Sequence, residues 1–418
     1  MRKSIQSVFL LISIFICFLL LFAGCAAGDE TVESTHETTV PTETEFTWPS
    51  NYLMNDRASF SDGKRYEWGE TAAAYPVLGS SLQRGQVRSV TFLNTLADAP
   101  EDAWDVSAAG DGSVLAWSAE NGELFDLFIA AEGGVYSTDS CETLFTGYVN
   151  AEQITFGGHF HTEHAASFAH MFLGCEKLTQ VDVHTLDTSA ALDLRGLFYG
   201  CGSLEELDLT GLNTASAENL SAMFYQCKSL RALDLSGFQT TAAQDMAQMF
   251  NGCIALSELN ISSLSTDQVT NLSGMFSNCR SLTELDLSHF KTASVEDMSN
   301  LFYGCMELQT LQIAGFDTSA VQNMSGMFYS CYNLQELDIS GFQTSVVTDM
   351  SGMFHGCVNL DYLDLSGFDT SAVVDVSTMF LDCGAVTSKE DVAHLDFSSV
   401  QKYDSFLEGI DWQTLFDD

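Results

Sequence analysis

Nine cysteines recur at a fixed interval of 26 residues: Cys175, Cys201, Cys227, Cys253, Cys279, Cys305, Cys331, Cys357 and Cys383. One period held over half a chain dictates a stacked architecture, in which each unit buries its apolar face only against its neighbours. The period constrains the fold and names no ligand. Function therefore has to be read from compartment and exposed surface.

Laid over one another, the units read close to C-x-x-L-x-x-L-D-L-S-G-F-x-T-S-x-V-x-D-M-S-x-M-F-x-G-C. In the copy from Cys331 to Cys357, Leu334, Leu337 and Ile339 form the L-x-x-L-x-L signature of a leucine-rich repeat, which predicts a short strand. Val347, Met350, Met353 and Phe354 follow at i, i+3, i+6 and i+7, the spacing of one buried helical face. Each coil is thus expected to hold a strand and a short helix or helical turn, an α/β repeat solenoid of 26-residue units. The column before the helical Met alternates Asp and Asn through Asp193, Asn219, Asp245, Asn271, Asp297, Asn323 and Asp349 to Asp375, which suits a helix N-cap.

Two further columns are read as structural. Phe recurs from Phe172 to Phe380 and should stack as a core spine, and Thr fills the positions from Thr188 to Thr370, where a buried hydroxyl can satisfy backbone groups leaving the strand. The cysteines are expected to be buried free thiols. Stacked equivalents point the same way about 4.8 Å apart, whereas a disulfide needs Cβ atoms about 3.8 Å apart and facing each other.

The ends differ from the middle. Arg2 and Lys3 precede an apolar run from Val8 to Ala23, and "LFAGC" resembles a bacterial lipobox. Residues 1–24 are read as a lipoprotein signal peptide and Cys25 as the lipidated mature N-terminus. Residues 25–57, rich in Thr and Glu, are read as a disordered acidic tether. Residues 58–143 are expected to form an N-terminal β cap with a strand at Val87–Leu93 and a hairpin turning at Asn121-Gly122 in a type I′ turn. The solenoid is placed at 144–383, with a degenerate last repeat and C-terminal cap, including Trp412 and Phe416, at 384–418.

The repeats, carried by "LDLSGFDTSAV" and "MSGMFYSC", resemble the BspA-like leucine-rich-repeat surface proteins of bacteria. The resemblance implies a right-handed solenoid displayed at the cell surface, in some members with a role in adhesion. It brings no catalytic residues.

The acidic side chains number 57 against 15 basic ones, a net charge of −42. Nucleic acid and anionic lipid surfaces would repel such a chain, so membrane contact is expected only through the N-terminal lipid. The residues flanking the strand leucines make an acidic face, taken as the candidate partner-binding surface: Asp182, Asp208, Asp234, Asp286, Asp338 and Asp364 in one column, with Glu206, Glu258, Glu284, Glu336 and Tyr362 beside it. Like charges at coil spacing are expected to raise some of these pKa values or to recruit cations, weak calcium binding among them. His159, His161, His164 and His170 lack the partner spacing of a zinc site. Enzyme signatures such as G-x-S-x-G or H-E-x-x-H are missing, and repeated carboxylates are equivalent groups rather than an acid and a base with separated pKa values. The expectation is a non-enzymatic surface protein that binds a protein or glycan ligand. The alternatives are a non-binding coat or spacer and, further off, a carboxylate-based glycan-active enzyme.

Overall fold

The computed structural model describes residues 52–53 and 70–404. The signal segment, Cys25, nearly all of the tether, and Trp412 and Phe416 lie outside the described residues.

The chain first builds a sheet. Strand β1 runs over Val87–Leu93, as the alternation predicts; a two-residue strand β2 (Trp104–Asp105) and the hairpin β3 (Leu115–Asn121) and β4 (Leu124–Ala130) follow. Asn121 pairs with Leu124, so the turn residues are Gly122 and Glu123, one position later than expected. Only Gly122 has a positive φ, +69°, which fits a type II′ turn and not the expected type I′. After β5 (Val135–Tyr136) come β6 (Gln153–Thr155), β7 (Phe160–His161) and β8 (Gln180–Val181). The main sheet has the order β2-β3-β4-β1-β6-β8. Because β1 pairs in parallel with both β4 and β6, the hairpin sheet passes without a break into the first coils.

From there the molecule is a repeat solenoid of strands and turns. The expected short helices do not form, and among the described residues the single α-helix, α1, is Glu70–Ala73. The α/β reading of the repeat is therefore corrected. Val347, Met350, Met353 and Phe354 are fully buried, as their spacing requires, but the backbone reaches that burial through successive turns. Each unit takes positive φ at two positions four residues apart, such as Gly196 (+56°) and Gly200 (+76°), a conformation that interrupts any right-handed helix. In other units Ala222, Gln226 and Gln248 hold the same conformation at φ between +54° and +59°. Gly and Asn at these columns were the legible signal against a helix.

This turn segment, and not the leucine strand, carries the continuous ladder. Parallel bridges run without a gap from Ser140 to Ser167, Asp193, Asn219 and on to Asp375 and Lys402. Within it Leu194, Gly196, Phe198 and Gly200 donate their N–H groups to the carbonyls of Asn219, Ser221, Met223 and Tyr225 in the following coil. The leucine strands pair only in places: β9 (Ala232–Asp234) with β10 (Glu258–Asn260), and β11 (Glu284–Asp286) with β12 (Thr310–Gln312).

The Asx column does not cap helices either. Asn219 Oδ1 accepts from Ser221 N at 2.9 Å and from its hydroxyl at 2.7 Å, and Asp245 Oδ1 accepts from Ala247 N at 2.8 Å. Asx turns of this kind hold the chain as it enters the turn segment. The alternation of Asp with Asn now has a physical reason. Equivalent side chains stack about 4.8 Å apart, so Asp245 and Asp297 each have a neutral amide on both sides, and Asp193 lies between Ser167 and Asn219. Where two Asp adjoin, at Asp349 and Asp375, Lys402 Nζ lies 3.1 Å from Asp375. Replacing Asn271 with Asp keeps the turn acceptor but sets three carboxylates in a row. A loss of about 1–3 kcal/mol at pH 7 is expected from two new repulsions at that spacing. Burial already raises the pKa of Asp245, and the added charge raises it further. Groups with raised pKa stabilise the fold at low pH, so the deficit should shrink as pH falls below about 5. Urea unfolding of both proteins at pH 4 and pH 7 checks this, and a deficit equal at both pH values would refute it.

The core columns follow the sequence reading. Phe rings from Phe172 to Phe380 stack with centroids 5.5–5.9 Å apart and interplanar angles of 2–16°. The Thr hydroxyls act as clasps: Thr266 Oγ1 donates to Lys291 O at 2.9 Å and accepts from Lys291 N at 2.7 Å, closing one residue of the next coil from both sides. The thiols are free and buried, each from Cys201 to Cys357 donating to the carbonyl of a Phe 29 residues earlier, at 3.1–3.3 Å. Burial pushes the Cys253 and Cys305 thiols up to about 12, so they act as small apolar fillers and not as nucleophiles.

Candidate functional site

The solenoid exposes one face on which the extended segments lie side by side. Alternation along each three-residue strand sends the flanking residues outward and the leucine inward, giving the exposed-buried-exposed pattern of β9 and β11. Asp182, Glu206, Asp208, Asp234, Glu258 and Glu284 line a single open groove of about 1110 Å³. A second concavity of about 360 Å³ contains Glu284 and Asp286 and shares Leu259, Asn260 and Glu284 with the first. The remaining candidates, Glu336, Asp338, Tyr362 and Asp364, fall outside both hollows and outside the paired strands. Tyr362 is 70% exposed there.

Three features of the groove were not legible in the sequence. The first is its floor, where Val181, Leu207 and Leu259 are only partly buried against the core and so lie accessible between the acidic columns. The second concerns Asp182, which spends both carboxylate oxygens on the preceding coil, Oδ1 on Phe156 N at 2.7 Å and Oδ2 on Gly157 N at 2.8 Å. It closes backbone and is not available to a partner in the way its column suggested.

The third is the direction of the pKa shifts. The like-charge expectation is corrected at five positions, because Asp208, Asp234, Asp286, Asp338 and Asp364 have lowered pKa values. For Asp208 the main cause is the Thr210 hydroxyl, and for Asp234 the Ser236 N–H. For Asp286, Asp338 and Asp364 it is the side chain of the Ser two residues on. In each case an Asx turn bonds the charged form, which outweighs repulsion across hydrated coil spacing. The carboxylates are ionised and fixed in orientation.

Among the described residues no group of three or more His, Cys, Asp or Glu is arranged to hold a metal ion. Of the N-terminal histidines, His161 packs at a tilt on Tyr136 with centroids 4.5 Å apart, while His170 is buried against Tyr199. Among the described residues, no helix is long and apolar enough to cross a membrane.

An open, anionic face with an apolar seam, carried on tandem coils, is the surface of a repeat solenoid. Residues 139–258, 230–312 and 304–413 each match the family described as Mycoplasma protein of unknown function, DUF285. These matches cover well over half of the chain, which therefore belongs to that family. No curated protein matches the chain, and neither does any solved structure.

Proposed function

We propose that the chain is an exported, lipid-anchored surface protein whose acidic face recognises a partner in adhesion or surface interaction. In this reading the coils form a right-handed leucine-rich-repeat solenoid of the BspA-like kind. The hairpin sheet acts as its N-terminal cap, and Cys25 carries the lipid. The observation that carries the reading is the groove itself: fixed carboxylates flank accessible Val181, Leu207 and Leu259 over several coils. Apolar floor with charged walls is the anatomy of a specific contact surface, and pre-oriented carboxylates lose little freedom on binding. The continuity of the hairpin sheet with the first coils supports the cap, and "LFAGC" supports the anchor.

The net charge of −42 favours a second reading, a hydrated coat or spacer that binds nothing. The two are separated by a screen of the full chain against matrix proteins, mucins, bacterial surfaces and cell-wall polymers, with calcium and with chelator. Recognition predicts saturable binding that falls at least tenfold when Asp234, Asp286 and Asp338 are replaced by Lys in a protein of unchanged circular dichroism. Silence of the folded wild-type chain across the array would favour the coat.

A further inference from the structure

We infer that the occupant of the groove is an extended run of basic residues, a Lys/Arg-rich polypeptide segment lying along the solenoid axis. The inference rests on the recognition reading above and adds the chemistry of the partner. Three observations shape it.

The first is length. The two hollows share residues and together follow seven successive rows, from Gln153–Thr155 to Thr310–Gln312. Six intervals of about 4.8 Å make about 29 Å, and a chain rising about 3.3 Å per residue covers that in about nine residues.

The second is cross-section. The acidic columns stand two residues apart on each extended segment, Glu206 against Asp208 and Glu284 against Asp286, which is about 7 Å at strand rise. Accessible Leu207 and Leu259 lie between them. An extended backbone fits over that seam, its side chains leaving alternately left and right. Consecutive basic residues then reach both columns, and their methylene stems cover the leucines.

The third is charge. Glu206, Asp208, Asp234, Glu258, Glu284 and Asp286 face the groove, and the basic groups within it are histidines, His184 and His289. On Asp208 both bonds of the Asx turn, from the Thr210 N–H and hydroxyl, fall on Oδ1, and on Asp286 the Ser288 N–H bonds Oδ1. A single divalent ion would use one coil, whereas the repeated geometry matches a repeating cation.

Nona-lysine, tri-lysine, spermine, nona-glutamate and calcium, titrated calorimetrically into the full chain at 50 mM and 300 mM salt, test the inference. Nona-lysine should bind at least thirtyfold more tightly than tri-lysine or spermine, and nona-glutamate should not bind. The decisive variant is Asp208→Asn, Asp234→Asn, Asp286→Asn. Asn260 already occupies this column, and its Oδ1 accepts from the Ser262 N–H and hydroxyl, so the fold tolerates the change. The control is Glu218→Gln, Glu296→Gln, Glu390→Gln, which removes the same charge from exposed positions outside the groove. At least a tenfold loss in the first triple and less than twofold in the second is expected. Equal losses would overturn the inference by showing attraction to net charge alone, and calcium or spermine binding as tightly as nona-lysine would overturn the extended occupant. If nona-lysine fails while a partner from the screen still depends on Asp234, Asp286 and Asp338, the basic segment is wrong and the recognition reading stands. If both fail, both fall.

Discussion

Phe276→Ala is expected to destabilise the solenoid by about 3–5 kcal/mol, the range for a fully buried aromatic truncated to a methyl group. Phe276 is fully buried and stacks on both neighbours, with centroids 5.6 Å from Phe250 and 5.9 Å from Phe302. Its removal leaves a hole between two coils that cannot collapse, because the turn ladder on that side fixes their spacing through bonds such as Phe276 N to Leu301 O. Solenoid stability is a sum of units and nearest-neighbour interfaces, so the damage should be local. Hydrogen exchange should show protection lost from the central coils outward, with the hairpin sheet unaffected at first. A loss below about 1 kcal/mol would mean that the neighbouring coils close over the hole despite the ladder.

Arg84→Met is expected to cost about 2–4 kcal/mol, for a different reason: it takes a charged donor from buried carbonyls and a cation from the face of a tyrosine ring. Coils of the turn ladder donate N–H groups forward and accept from behind, so at the N-terminal end the ladder carbonyl of Thr146 has no coil behind it to bond. Arg84, 1% exposed, meets that pole, with Nη1 2.7 Å from Thr146 O and 3.3 Å from Thr143 O and the guanidinium 5.5 Å from the Tyr148 ring centroid. A cation at a carbonyl pole is favourable for the reason it is favourable at a helix C-terminus. Methionine has similar bulk, so the variant tests the charge and its bonds. Thermal unfolding should fall by several degrees and begin at the first coils. An unchanged midpoint would show that water can replace the guanidinium.

Arg84 was invisible to sequence reasoning. It stands outside the repeat, and its partners lie 59 and 62 residues away. The Thr column was different. Its hydroxyls were expected to satisfy backbone leaving the strand, and they do so through the paired bonds of Thr188, Thr266 and Thr292. The acidic face was legible as an alternation, but its division was not. Asp208 and Asp234 belong to a shared groove, Asp182 closes the previous coil, and Tyr362 and Asp364 stand apart from both hollows.

The sequence by itself determined the stacked architecture, its period and the identity of every buried column. Burial at a repeated position is a property of side-chain chemistry, and 26-residue recurrence declares it nine times over. The path between those columns depends on contacts that no local pattern encodes. The same spacing of Val347, Met350, Met353 and Phe354 serves a helix or a chain of turns, and the choice depends on the sign of φ at Gly352 and Gly356, +61° and +73°. It also depends on hydrogen bonds made to residues one full coil away. Local pattern specifies which side chains go inside; nonlocal bonding specifies which backbone ladder is continuous, and therefore which carboxylates line the groove.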